Sequence, residues 1–158
     1  MKFNFADAPA TLKKFEPRLE DHDKQRVKSV RIWMEMNRSS HFQAVLWPDS
    51  VAEDLEKMLW DSDENKRVGI GQINYDSVFS NVNLRFVENG SFRVELKGAK
   101  IEKVTAKPIA GKAMQIRFQA LAIVSDGDLE GLHDILKSNG VTMTAAQADV
   151  PKEEEEAA

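Results

Sequence analysis

Cysteine is absent from this chain, which excludes a disulfide framework and thiolate zinc sites and removes any need for an oxidising compartment. No apolar run approaches the roughly 20 residues that a membrane-spanning helix requires. Residues Met1 to Lys14 have neither the apolar stretch nor the small-residue cleavage site of a secretory signal. The expectation is a soluble cytoplasmic protein with no membrane partner. The GxSxG, GxxxxGKS and GxGxxG patterns are missing too, so nucleophile-elbow, P-loop and dinucleotide-binding readings have no motif behind them.

What is present fits one globular unit. The 158 residues are 42% hydrophobic and 30% charged, enough for a hydrophobic core without metal or disulfide staples. The formal charge of -4 is unevenly spread. From Arg85 to Arg117 eight basic residues face three acidic ones, a local excess of +5, so the remainder carries -9. The last ten residues hold five acids and one lysine, which leaves the body close to neutral.

Along the chain, residues 1–25 read as an irregular lead-in, because Thr11 to Gln25 combines Pro17 with the charge-dense run around Glu20, Asp21, His22 and Asp23. Residues 26–146 read as a single β-rich domain. Val30, Ile32, Met34 and Met36 alternate with Arg31, Trp33, Glu35 and Asn37, the period of a strand with one buried face. His41 to Trp47 is a candidate partner strand. Ser50 with Glu53 forms a capping box ahead of a helix from about Val51 to Trp60. Val68 to Tyr75 is strand-like but weakened by Gly69 and Gly71.

Two alternating runs around Asn89 and Gly90 predict a hairpin. Further strands are expected at Ile101 to Ala106 and Met114 to Ala122, with a turn at Pro108 to Gly111 between them. Ser125, Asp126 and Asp128 cap a second helix carrying Leu129, Leu132, Ile135 and Leu136, stopped by Asn139 and Gly140. Val141 to Thr144 closes the set as a short strand. Residues 147–158 read as a flexible acidic tail, too polar to order itself. The pattern predicts a mainly β (α+β) fold of six or seven antiparallel strands, as a sandwich or partly closed barrel with two amphipathic helices.

No catalytic constellation emerges. His22, His41 and His133 lie far apart without ligand spacing. Three pairs, Asp21 with Asp23, Asp61 with Asp63 and Asp126 with Asp128, have the composition to hold magnesium, but each sits where loops and caps favour aspartate anyway. The expectation is no enzyme activity, no metal site and no cofactor.

The more suggestive feature is the outer face of the expected strands. Arg31, Arg85, Arg93, Lys97 and Arg117 all fall opposite the apolar set, with Trp33 among them. Cations from neighbouring strands can follow a phosphate backbone while an indole stacks on a base. The bland alternative is a solvated sheet face with the indole covered, and the sequence pI of 5.5 lies below that of a dedicated nucleic-acid domain. The tail, with Glu153, Glu154, Glu155 and Glu156, resembles the acidic C-termini of bacterial single-stranded DNA-binding proteins. It differs from them in ending on Ala157 and Ala158 where they typically end on an apolar pair, and a plain solubilising tail is the other reading.

The stretch from Thr11 through Phe15-Glu16-Pro17-Arg18 and Glu20-Asp21-His22 to the Arg117 strand and the closing helix resembles small uncharacterised proteins of tailed bacteriophages, whose genes sit among early DNA-metabolism genes. The resemblance implies a phage accessory factor acting in the host bacterial cytoplasm. Together with the basic face, the expectation is a non-enzymatic protein that binds single-stranded DNA, or a recombination or replication protein acting on it. A host-directed inhibitor of a defence system, docking on a bacterial protein by acidic surfaces, is the second reading, and a virion structural role the third. Oligomeric state stays open at this level.

Overall fold

The computed structural model describes residues 3–22, 25–39, 57–60, 66, 71–109 and 113–148. In chain order these form β1 (Phe5–Pro9), β2 (Thr11–His22), β3 (Gln25–Ser39), β4 (Ile73–Tyr75), β5 (Phe79–Glu88), β6 (Ser91–Ile109), β7 (Ala113–Ile123), the helix α1 (Asp126–Ile135) and β8 (Val141–Gln147). The strands make one antiparallel eight-stranded sheet in the order β1-β8-β5-β6-β7-β3-β2, with β4 pairing β6 off this path. The sheet is open, because no ladder joins its end strands β1 and β2. Those two strands are nevertheless consecutive, separated only by Ala10, whose N–H donates to the Val141 carbonyl. β1 also comes into contact with β3 across the interior, so the sheet curls around its own apolar face.

Alternation drives the curl. On β3, Val30, Ile32, Met34 and Met36 are buried, and on β7 so are Met114, Ile116, Phe118, Ala120 and Ala122. These inward sets meet Leu84 and Phe86 of β5 and Met143 of β8 in a single core cluster. Phe3, fully buried, sits between the two halves with ring centroids 5.3 Å from Phe79 and 5.2 Å from Phe118. Edge and tilted ring pairs of this kind add to the burial of large apolar area.

β6 is the organising strand. Its first half pairs with β5, and its second half with β7. Its inward set runs Val94 and Leu96, then Ala99 and Ile101, then Val104, Ala106 and Pro108, so the inward parity reverses twice. Each reversal is a β-bulge: register shifts between Leu96 and Ala99 and between Glu102 and Thr105, with left-handed backbone at Gly98 (φ 63) and Lys103 (φ 54). The freed Gly98 N–H donates to Asn83 Oδ1 at 2.9 Å. Asn81 (φ 58) and Asp7 (φ 47) lie at matching register shifts in β5 and β1. Bulges bend and twist a sheet, and here they recur where it turns back on itself.

The hairpin at Asn89 and Gly90 is present, Glu88 pairing with Ser91 and both turn residues at positive φ. The helix after Ser125 is present as well. The Ser125 Oγ accepts from Asp128 N at 3.2 Å and Asp128 Oδ2 accepts from Ser125 N at 2.9 Å, a reciprocal capping box. Leu132 and Ile135 are buried beneath it. It ends at Ile135, before Asn139 and Gly140, where Lys137 turns at φ 59 and its N–H donates to the Leu12 carbonyl.

Several expectations are corrected. Thr11 to His22 is not irregular but a twelve-residue strand. Lys14, Glu16, Arg18 and Glu20 alternate with Phe15, Pro17 and Leu19, and a register shift between Leu12 and Lys14 hides the continuity of this pattern with the buried Leu12. Pro17 is tolerated because β2 is an edge strand. The strand expected at Ile101 to Ala106 is the second half of β6, and Pro108 belongs to it rather than to a turn. Only Ile73–Tyr75 of the 68–75 segment is strand among the described residues. Residues 57–59 are helical, in agreement with the end of the expected first helix, and its start, the strand at 41–47 and the tail at 149–158 lie outside the described residues. No helix among those residues is long and apolar enough to cross a membrane.

α1 covers the side of the first half of β6 that β7 does not reach. Contact is made at Gly131, where an added Cβ would lie 2.8 Å from the Arg93 carbonyl oxygen and 3.0 Å from Val94 Cβ. Gly131→Ala should therefore destabilise the fold by about 1–3 kcal/mol through overpacking, despite the roughly 1 kcal/mol that alanine gains in helix propensity. Denaturant unfolding measures it, and a more stable variant would mean that α1 does not sit this close to β6.

Candidate nucleic-acid interface

The outer face of β2, β3, β7 and the second half of β6 is a polar grid fixed by register. Lys14 lies beside Trp33, which is opposite Gln119, itself opposite Glu102. One row further, Glu16 is opposite Arg31, then Leu121 and Lys100. On the other side of Trp33, Glu35 is opposite Arg117 and then Thr105. Alternation thus delivers Arg31, Trp33 and Arg117 to one surface. Arg85 and Lys97 also point outward, but on the β5–β6 half of the sheet, and Arg93 sits at the irregularity in β6 between Phe92 and Val94.

Most of the guanidinium groups are already engaged. Arg31 Nη1 donates to Glu102 Oε1 at 2.7 Å and to Gln119 Oε1 at 2.8 Å, with both charged side chains only 18% exposed. Arg117 Nε donates to Glu35 Oε2 at 2.9 Å, and Arg93 Nε to Glu88 Oε1 at 3.1 Å. Glu102 is held below the ordinary carboxylate range, first by the hydrogen bond from Arg31, against the opposing effect of burial and with help from Lys100 and Lys103. Glu16 is lowered by the hydrogen bond from Lys14, 2.8 Å away, with Arg18 and Arg31 adding to it. Arg31 is thus a structural tie across three strands, whereas Arg117 is 59% exposed and its pairing with Glu35 is a surface contact worth about 0–1 kcal/mol.

A cleft of about 560 Å³ opens in this grid. Its walls include Lys13, Trp33, Glu35, Lys103, Arg117 and Gln119, and the buried Met34 and Phe118 lie at its floor. Lys13 and Lys103 make no ion pair among the described residues, and both are exposed. Each stands at a register shift, Lys13 on β2 and Lys103 on β6, and bulges are devices that re-aim side chains. Lys103 holds φ 54, which is uncommon for a residue other than Gly, Asn or Asp. Lys14 places its ammonium 4.7 Å from the Trp33 ring centroid, a cation–π contact worth about 0.5–1 kcal/mol at an exposed site.

A second, shallower basin of about 450 Å³ is formed by Arg85, Phe92, Glu95 and Lys97. Phe92 is 54% exposed, with the Arg85 guanidinium carbon 4.9 Å from its ring centroid. Reasoning from alternation missed Lys13, Lys14, Lys103 and Phe92. Lys103 was within reach, since the interval from Ile101 to Val104 breaks the period of two. Lys13 was not, because its strand was masked by the same kind of break.

Other candidate chemistry does not assemble among the described residues, which leave out His41, Asp23, Asp61 and Asp63. His133 is exposed in the last turn of α1, and no group of three or more His, Asp or Glu able to hold a metal ion occurs among the described residues. Asp128 caps the helix and Asp126 pairs with Lys28. No family model, curated protein or solved structure matches the chain.

The Arg31–Glu102 pair yields a pH prediction. Glu102 stays ionised to lower pH in the folded state than its ordinary value of 4.5, so the pair stabilises fully above that value and its contribution is lost as pH falls below it. Glu102→Gln should cost about 1 kcal/mol at neutral pH. The difference from the parent should shrink as pH falls below 4.5. Thermal melts across that range test it, and a difference independent of pH would show that the carboxylate charge is not what matters.

Proposed function

We propose that this chain is a non-catalytic binding protein that takes single-stranded nucleic acid in the Trp33 cleft, with a base on the indole and phosphates on Lys13, Lys103 and Arg117. The observation that carries this reading is the convergence of an indole with three cations in one outward cleft, two of them making no ion pair among the described residues. A polyanion is the chemistry such a cleft favours, and a flat ring selects a ligand with π-faces.

Magnitudes support the exchange that binding requires. A base stacked on an aromatic ring contributes about 1–3 kcal/mol, more than the roughly 0.5–1 kcal/mol of the Lys14 contact it displaces. A phosphate replacing Glu35 on Arg117 exchanges one surface ion pair for another of similar strength, now with Lys103 nearby. Lys14, once displaced, remains close enough to meet the same backbone. An accessory role in phage DNA metabolism, as the sequence resemblance implies, is a setting in which such a binder would act on exposed single strands.

Fluorescence anisotropy with a labelled oligothymidylate at two salt concentrations tests the proposal. Binding should weaken as salt rises, and Trp33→Ala should lower affinity by about 5- to 100-fold, the equivalent of one lost stack. Arg117→Ala should flatten the slope of log affinity against log salt by about 0.7. No binding at low salt, or binding indifferent to salt, would overturn the reading.

A further inference from the structure

The four lysines Lys97, Lys100, Lys103 and Lys107 are separated by three, three and four residues along β6. In an unbroken strand Lys100 would face the opposite side from the other three, into the core. The bulges at Gly98 and Lys103 prevent this. Lys100 stands opposite Leu121 and Lys107 opposite Gln115, both on the outer face, while Ala99, Ile101, Val104 and Ala106 take the inward positions. All four lysines are exposed. Lys100 is 3.6 Å from Glu102, and Lys97, Lys103 and Lys107 make no ion pair among the described residues. One strand therefore carries a row of ammonium groups on the convex side of the sheet, interrupted by the paired Glu102.

The row passes two aromatic rings. Lys103 lines the Trp33 cleft, and Lys97 lines the basin that holds Phe92 and Arg85. Phe92 is an exposed large apolar side chain, with the Arg85 guanidinium carbon 4.9 Å from its ring centroid. We infer that β6 is a track for a single-stranded nucleic acid longer than the cleft alone holds, running from the Trp33 cleft along the lysine row to a second stacking station on Phe92. This rests on the proposed function of the cleft. The second station, the path between the two and a minimum ligand length are what it adds. Between Lys97 and Lys103 an extended strand rises at most about 20 Å, and the bulges shorten it, so a trinucleotide, whose two phosphates the cleft cations already satisfy, engages one station and a longer oligomer engages both.

The experiment compares an oligothymidylate trinucleotide with one of about 12 nucleotides on the full chain, with circular dichroism melts confirming that each variant folds. Phe92→Ala should weaken binding of the longer oligomer about tenfold and leave the trinucleotide unaffected. A double variant, Lys97→Ala with Lys100→Ala, should flatten the salt slope for the longer oligomer by about 1.4 and not for the trinucleotide. If both variants bind the longer oligomer as the parent does while Trp33→Ala still weakens it, the track is overturned and the cleft reading stands. Equal losses on both ligands would place these residues in support of the cleft, which also overturns the track. Failure of the parent to bind either ligand removes the cleft reading itself.

Discussion

The structure depends on β6 changing its inward parity twice. A strand that serves one sheet half with Val94 and Leu96 and the other with Val104 and Ala106 must twist sharply between them, and the bulges at Gly98 and Lys103 supply the turn while keeping apolar side chains inside. Without the first bulge, Ala99 and Ile101 would project into water and Lys100 into the core. Such a reversal loses the burial of the apolar side chains and drives a charge into a low-dielectric interior. The Asn83 side chain takes up the Gly98 amide that the ladder releases. Phe3 then fills the space where the two halves converge.

The same reversals determine what the outer surface offers. Carboxylates pair with three of the arginines: Arg31 with Glu102, Arg93 with Glu88 and Arg117 with Glu35. Beside the exposed Arg117, lysines at irregular positions make no ion pair among the described residues, Lys13 and Lys103 in the cleft, with Lys97 and Lys107 along β6. Exposed ion pairs are weak and salt-sensitive, so the surface is a reservoir of cations held loosely in place. The half-buried Arg31 tie is the exception, and it anchors the grid.

Much of this was legible in the alternation of residues. The β3 strand, the Asn89–Gly90 hairpin, the β7 strand and the Ser125 cap follow from period and turn chemistry, and the outward placement of Arg31, Trp33, Arg85, Lys97 and Arg117 follows from the same period. The failures have one physical cause. Wherever a bulge reverses parity, a window of alternation ends, so β2 looked irregular after Leu12 and β6 looked like two strands. Partners were illegible for another reason: Glu102 is 71 residues from Arg31, and only the strand order brings them together.

The nucleic-acid surface proposed on the convex side of β6 follows from the two parity reversals of that strand. The most direct measurement is a titration of the isotope-labelled protein with single-stranded oligonucleotide, followed by amide and indole resonances. Shifts should concentrate on the Trp33 indole N–H and on amides around Lys13, Lys97 and Lys103, with β8 and α1 unmoved. Shifts centred on α1 or β8, or none at saturating oligonucleotide, would contradict it.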